Sequence, residues 1–185
     1  RAKRLIIRSE LGSELTVLAH LAEAIAESSR HTRDFTYHGL RDALGQVAAC
    51  FPVYRTYITA AGASEADRQH VTWAVAQAKK RSPAADTRVF DFLEGLLTLE
   101  RIPGRGAPAR RRALGLVRRF QQYTAPVMAK GLEDTALYIH NRLVSLNDVG
   151  FDPRYHATSP AAFHHAMGER ARLWPGGLAA TSTHD

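Results

Sequence analysis

Through the first part of the chain, apolar residues recur at the spacing that places them on one face of a helix. Leu11, Leu15 and Leu18 begin such a stripe, with Ser9 or Ser13 as its candidate N-cap. Residues 52–58 interrupt the helical pattern, and their alternation predicts extended backbone. Helices are predicted over residues 11–25, 37–50, 64–81, 86–99 and 109–123.

The pattern changes after Pro126, where shorter elements are predicted. Residues 127–129 predict a short strand, residues 132–141 one or two helical turns, residues 160–173 a helix and residues 178–182 a buried strand. The predicted fold class is mainly α, with a helical module over residues 1–122 and a few short strands over residues 123–185. A shift from helices to alternating strand and helix fits a module inserted into, or attached to, a barrel.

The composition is that of a soluble globular chain, with 45% hydrophobic and 23% charged residues among 185. No apolar run reaches the roughly 20 residues that span a bilayer, so we expect no membrane partner. Cys50 is the single cysteine, which excludes an intramolecular disulfide and fits a cytoplasmic location. Its apolar neighbours predict a small buried side chain rather than a reactive thiol.

The net charge of +7 comes largely from arginines clustered between Arg101 and Arg119. Such a cluster is compatible with nucleic-acid binding, but it lacks interleaved aromatic residues and any recognition-helix pattern. A solvated helix face explains it better, and we expect no nucleic-acid partner. The chain also has no phosphate-binding glycine loop and no serine nucleophile motif, and adjacent His164 and His165 do not make a metal site alone. We therefore expect no metal and no cofactor.

Two segments carry candidate chemistry. Lys130, Glu133 and Asp134 surround Gly131, which would let a ligand approach the backbone, but they also fit an acidic first helical turn paired with the lysine. His184 and Asp185 follow a predicted strand, where barrel enzymes keep catalytic groups, although they also fit a helix cap. A carboxylate there suits glycoside chemistry, because the transition state carries positive charge.

Several longer motifs resemble those of the maltooligosyl trehalose synthase family, (1→4)-α-D-glucan 1-α-D-glucosylmutases of the α-amylase superfamily, glycoside hydrolase family 13. The resemblance runs from about Lys3 to Asp185. The residues that carry it are Phe51-Pro-Val-Tyr-Arg-Thr-Tyr57, Arg119-Phe-Gln-Gln122, Pro126-Val-Met-Ala-Lys-Gly-Leu-Glu-Asp-Thr-Ala136, Tyr138, Asn141-Arg-Leu-Val-Ser-Leu-Asn147, Val149-Gly150 and Ala180-Thr-Ser-Thr-His-Asp185.

The resemblance implies that residues 1–122 are a helical insertion module and that residues 123–185 are part of a (β/α)8 barrel. It also implies an isomerase of trehalose biosynthesis. Such an enzyme cleaves the reducing-end α-1,4 bond of a malto-oligosaccharide, retains the glucose and rejoins it through an α-1,1 bond. It implies that Asp185 is the third catalytic carboxylate and that His184 hydrogen-bonds the sugar. The nucleophile and the acid/base belong to signatures expected upstream of Arg1, so we expect this chain to be a fragment that is inactive alone. Its partners would be the remainder of the barrel, upstream and downstream.

The resemblance also implies substrate-binding roles outside the last signature. Lys130, Glu133 and Asp134 match a motif expected near the reducing-end subsites, whereas Arg55 and Tyr57 either order the insert or line the cleft. A different hypothesis is a non-catalytic helical module that binds glucan or a partner protein. A sugar bound near Lys130 and His184 would favour the enzyme, and an exposed apolar groove would favour the module.

Overall fold

The chain folds into helices joined by irregular loops. A computed structural model describes residues 1–82, 87–104, 106–140, 142–150 and 157–178. Within these ranges the backbone forms no strand, and the extended pairing is limited to an isolated bridge between Thr59 and Gly62. The elements are α1 (Ala2–Ser9), α2 (Gly12–Ala26), α3 (Tyr37–Cys50), α4 (Glu65–Arg81), α5 (Arg88–Leu97), α6 (Gly106–Met128), a π-helix (Ala129–Leu137), a 3-10 turn (Val144–Leu146) and α7 (Pro160–Leu173).

The chain divides into two compact units, Arg1–Thr135 and Ala136–Asp185. In the first unit α3 is central and packs against α1, α2, α4, α5 and α6. Its apolar stripe, predicted from spacing, is buried as Leu40, Leu44 and Val47. Large core side chains reach it from neighbouring helices, among them Leu18 of α2, Phe90 of α5 and Phe120 of α6. The mainly helical prediction is confirmed for the described residues.

Local end signals account for the helices that were predicted best. Ser64 accepts a hydrogen bond from the Asp67 amide while the Asp67 carboxylate accepts one from the Ser64 amide, and this reciprocal cap starts α4. The predicted starts at Tyr37 and Pro160 are confirmed, because Thr36 and Ser159 cap α3 and α7 with their hydroxyls.

The predicted cap of the second helix was wrong. The N-cap of α2 is Leu11, which offers no side-chain bond, and Ser13 lies inside the helix. Ser9 belongs to α1, where its hydroxyl donates to the Leu5 carbonyl at 3.0 Å. The pattern did not predict α1 itself, because its two buried residues, Ile6 and Ile7, are adjacent and show no repeat.

The strand predicted over residues 127–129 was also wrong. Helix α6 runs through Pro126 to Met128 and passes directly into the π-helix. Val127 and Met128 are buried on the helix rather than paired in a ladder. Pro126 has no N–H to donate to the Gln122 carbonyl, and a proline inside a helix disturbs its regular bonding. The regular α-helical bonding continues to Met128, and the chain goes on as a π-helix from Ala129.

Other predicted elements have mixed outcomes. Residues 52–58 interrupt the helices as predicted, with bends at residues 52–54 and no regular structure over residues 55–58. The predicted strand over residues 178–182 lies almost wholly outside the described residues, and Leu178 has no regular structure. Helix α6 spans the predicted boundary at residue 122, and the assignment of residues 123–185 to a barrel stays a prediction.

The second unit is less buried than the first. None of the residues of α7 is buried, and its apolar side chains Phe163 and Met167 are exposed, as is Trp174 beyond its end. The Asn147 amide donates to the Leu137 carbonyl at 2.7 Å and closes the end of the π-helix. No helix in the described part of the chain combines the length and the apolar character needed to cross a bilayer.

Candidate functional site

The loop that follows α3 is fixed to α6 by one buried side chain, Gln121. The Gln121 Oε1 accepts hydrogen bonds from the Ile58 amide at 2.6 Å and from the Thr56 hydroxyl at 3.1 Å. Its Nε2 donates to the Ile58 carbonyl at 3.2 Å. Because one amide satisfies three buried polar groups, it fixes the backbone of the Tyr-Arg-Thr-Tyr motif without a strand partner. Two motifs that are 65 residues apart in the chain thus meet in the fold.

The same loop contacts the π-helix through Tyr54. The Tyr54 hydroxyl donates a hydrogen bond to the carboxylate of Glu133, which is 6% exposed. A carboxylate this buried needs such partners, because an ionised group loses its hydration in the interior. The structure therefore places Glu133, predicted to bind substrate, on the buried side of the π-helix. Its direct contact with a sugar stays a prediction.

Lys130 and Asp134 lie one turn apart on the exposed side of this segment. The Lys130 Nζ donates to the Asp134 Oδ2 at 2.7 Å, and both side chains reach solvent. This bond, together with the charge of Asp134, raises the pKa of Lys130. The pairing expected for a helix turn is therefore present. It also presents an ammonium donor and a carboxylate acceptor side by side, a combination that can bind neighbouring hydroxyls.

Gly131 is required by a contact within the protein. A Cβ at this position would lie 2.7 Å from the Cα and the Cγ of Lys3 in α1, so only glycine allows this approach. The close approach predicted for a ligand is thus made to the backbone of α1. The Lys3 ammonium in turn donates to the Phe51 carbonyl at 2.9 Å, and its burial lowers its pKa to about 8.

Cys50 and Arg81 lie beside this junction. Cys50 is buried, which confirms the sequence prediction, and the Arg81 Nη1 lies 3.5 Å from its Sγ. Burial is the larger effect on the pKa of Lys3 and lowers it, whereas the electrostatic interaction with Cys50 raises it. These contacts join the C-terminal ends of α3 and α4 to the start of α1.

Arg55 and Tyr57 project from the fixed loop. The Arg55 guanidinium lies over the Tyr57 ring, 4.8 Å from its centroid, and its Nη1 donates to the Gln122 Oε1 at 3.4 Å. Tyr57 is 71% exposed, while its amide donates to the Asp67 Oδ1 at 3.0 Å. Burial would raise the pKa of Asp67, but hydrogen bonds from Tyr57 and Ser64 outweigh it and lower the pKa. An exposed aromatic ring under an arginine is thus held by a rigid base.

The predicted substrate-binding residues within the described ranges lie on two elements that contact each other. Arg55 and Tyr57 are on the loop after α3, and Lys130, Glu133 and Asp134 are on the π-helix that Tyr54 of this loop contacts. His184 and Asp185 lie outside the described residues, and their catalytic roles stay predictions. Among the described residues, no three His, Cys, Asp or Glu side chains converge in a way that could hold a metal ion.

Sequence reasoning missed Gln121 and Tyr54 as individual residues. Gln121 directly follows Phe120, which belongs to the apolar stripe of α6. That position next to a buried residue was the only sign in the sequence that Gln121 is buried. Tyr54 was part of a motif, but its partner is 79 residues away.

Comparisons with known proteins give a partial similarity. Two curated relatives are each 49% identical to this chain over 67 residues, which are 36% of this chain and 9% of the relative. Both are described as "Putative maltooligosyl trehalose synthase", one from Mycobacterium tuberculosis strain CDC 1551 / Oshkosh and one from strain ATCC 25618 / H37Rv. No protein-family model and no solved structure matches the chain. The match covers less than a tenth of the length of these relatives.

Proposed function

We propose that this chain is part of an intramolecular transglucosylase that converts the reducing-end α-1,4 bond of a malto-oligosaccharide into an α-1,1 bond. The observation that carries the proposal is the 49% identity over 67 residues to proteins described as maltooligosyl trehalose synthases. Because the match covers 9% of each relative, the activity is proposed for a longer protein to which this chain contributes.

The geometry supports a substrate-holding role for the start of the π-helix. Lys130 and Asp134 are exposed and paired at 2.7 Å. Below them, the buried bond from Tyr54 to Glu133 limits movement of the segment. A positioned donor and acceptor of this kind can hold a cleaved glucose by its hydroxyls while it turns for reattachment. We assign Lys130 and Asp134 to this retention and Glu133 to support of the segment.

The chemical step is assigned to residues beyond this framework. Asp185 would stabilise the positive charge of the transition state, and His184 would hydrogen-bond the sugar. The nucleophile and the acid/base would come from outside this chain, so the isolated chain is expected to be inactive. The bond that breaks joins C1 of the penultimate glucose unit to O4 of the reducing-end glucose. The bond that forms joins the same C1 to O1 of the freed glucose.

The second unit supports a place within a larger protein. Phe163 is 52% exposed, and Trp174 is 73% exposed. Exposed apolar side chains of this size in one short segment are typical of a surface that packs against further protein. Residues of the proposed barrel are the expected partner.

The test uses the complete product of the gene with maltopentaose as substrate. NMR of the anomeric protons measures the α-1,1-linked product, and a reducing-sugar assay measures hydrolysis. Asp185→Asn should abolish both reactions, whereas Lys130→Ala should raise hydrolysis relative to isomerisation, because the freed glucose escapes. Lys80→Ala, an exposed lysine at the end of α4, is the matched control and should leave the ratio unchanged. An unchanged ratio in Lys130→Ala would exclude the retention role, and a complete product that forms no α-1,1 bond would exclude the proposed reaction.

A further inference from the structure

A groove lies between the first turns of α2 and the last part of α6, within the first unit. Its volume is about 290 Å³, close to the lower end of the roughly 300–1,000 Å³ of small-molecule sites. Most of the lining is apolar. The residues that line it are Leu11, Glu14, Val17, Leu18, Arg119, Gln122, Tyr123 and Pro126.

The floor of the groove is held in place by a bond between its two walls. The Tyr123 hydroxyl donates to the carbonyl of Leu11, the N-cap residue of α2, at 3.2 Å. Burial raises the pKa of Tyr123, so its hydroxyl keeps its proton and remains a donor. Tyr123 is 3% exposed and so lies at the base of the groove, and the accessible apolar surface is that of Leu11, Val17 and Pro126.

The rim of the groove carries three planar polar side chains: Glu14, Arg119 and Gln122. All three are exposed. In the part of the chain that the structure describes, neither Glu14 nor Arg119 forms a hydrogen bond or an ion pair with another side chain. The rim thus offers a carboxylate acceptor, a forked cationic donor and an amide that can do both. Because hydroxyl groups both donate and accept hydrogen bonds, they can pair with each of these side chains.

We propose that this groove binds a glucosyl unit of an α-1,4-glucan, at a site separate from the Lys130–Asp134 pair. A pyranose ring has an apolar face of C–H groups and an edge of neighbouring hydroxyls. The C–H face can pack on the apolar residues of the groove, and the hydroxyls can form hydrogen bonds with the planar groups of the rim. The choice of glucan among neutral polyols rests on the proposed function.

The rim continues toward an exposed aromatic ring. The Gln122 Oε1 accepts from Arg55 at 3.4 Å, and the Arg55 guanidinium covers the Tyr57 ring. A glucan that occupies the groove can therefore extend along this side chain row. This continuity favours an oligosaccharide over free glucose.

The test is an NMR titration of the ¹⁵N-labelled 185-residue chain with maltopentaose, with cellopentaose as the β-linked control sugar. We expect saturable shifts at amides that line the groove, and weaker or no shifts with cellopentaose. Arg119→Gln should weaken binding about tenfold through loss of a charged hydrogen bond, and Val17→Trp should abolish it by filling the groove. Arg118→Gln, the exposed neighbouring arginine, is the matched control and should bind as the unaltered chain does.

Several results would overturn the proposal. Shifts confined to residues around Lys130 would place the sugar elsewhere, and an absence of saturable binding would exclude the groove as a glucan site. Binding of the apolar probe 8-anilinonaphthalene-1-sulfonate in the groove without binding of maltopentaose would favour an apolar protein segment as occupant. Failure of the proposed function is distinguishable, because it appears as a complete gene product without α-1,1 product while the groove variants still change sugar binding.

Discussion

Replacement of Gln121 by leucine tests whether one buried amide holds the loop after α3. Leucine fits a site of similar size but can neither accept from the Ile58 amide and the Thr56 hydroxyl nor donate to the Ile58 carbonyl. These partners are enclosed, since Thr56 is 2% exposed and Ile58 is 3% exposed. The variant therefore leaves three polar groups without partners in the interior.

The expected loss follows from the number of bonds. A hydrogen bond contributes about 1 kcal/mol net, and a buried group left without a partner costs about 1–3 kcal/mol. Relaxation of the loop lets some of the groups reach water, so the total should be about 3 kcal/mol. At a urea dependence of about 2 kcal/mol per molar, the midpoint should fall by about 1.5 M.

The measurement uses Trp73 of α4 as the fluorescent reporter of the first unit, in a Trp174→Phe background that removes the signal of the second. Hydrogen exchange at the Ile58 amide provides a local readout and should lose its protection. Gln122→Leu is the matched control one position along, because Gln122 is exposed, and should change stability by less than about 0.5 kcal/mol. Equal losses in the two variants, or a protected Ile58 amide in Gln121→Leu, would refute the reasoning.

Three further predictions concern the contacts among α1, the loop after α3 and the π-helix. Gly131→Ala should destabilise the protein by about 1–3 kcal/mol in urea unfolding, because the added Cβ would clash with Lys3. Gly115→Ala, in open space on α6, is the control and should stabilise the protein by up to about 1 kcal/mol. A Gly131→Ala protein more stable than Gly115→Ala would contradict the packing. Tyr54→Phe should cost about 2 kcal/mol in the same assay, because the buried Glu133 carboxylate loses a donor, and an unchanged midpoint would show that other partners suffice. The pKa of Lys3 is about 8 in the folded protein and near 10.5 in the unfolded chain, so the unfolded chain binds more protons between these pH values. The free energy of unfolding, measured relative to Lys3→Met, should therefore rise from pH 8 to pH 10.5, by less than about 3 kcal/mol because the side chain is only partly buried. A difference that does not change with pH would refute the lowered pKa.

The helices that the sequence predicted best carry their instructions locally. The stripe of α3 and the reciprocal cap of α4 are both contained within a few turns, so spacing and residue type were sufficient. The same holds for α7, where Ser159 and Pro160 set the start. Similarly, the Lys130–Asp134 pair lies within one turn, and the alternative of a paired helix turn was visible in the sequence.

The predictions that were wrong concern segments whose local sequence fits more than one structure, and only packing against other segments decides between them. A short apolar run such as Val127-Met128 suits a strand or a buried helix, and the surrounding helices decided for the helix. The missing N-cap of α2 is another case, because Leu11 is held by the Tyr123 hydroxyl from α6 rather than by a local side chain.

The sequence by itself thus determined the helical class, most helix positions and the residues worth testing, since each depends on interactions between near neighbours. Only the tertiary structure decided which of those residues face inward. Glu133 is bonded by a tyrosine 79 residues away, Gly131 is required by the backbone of α1, and Gln121 satisfies a loop 63 residues before it. Such contacts depend on how distant segments meet, and the spacing of residues along the chain does not encode that meeting.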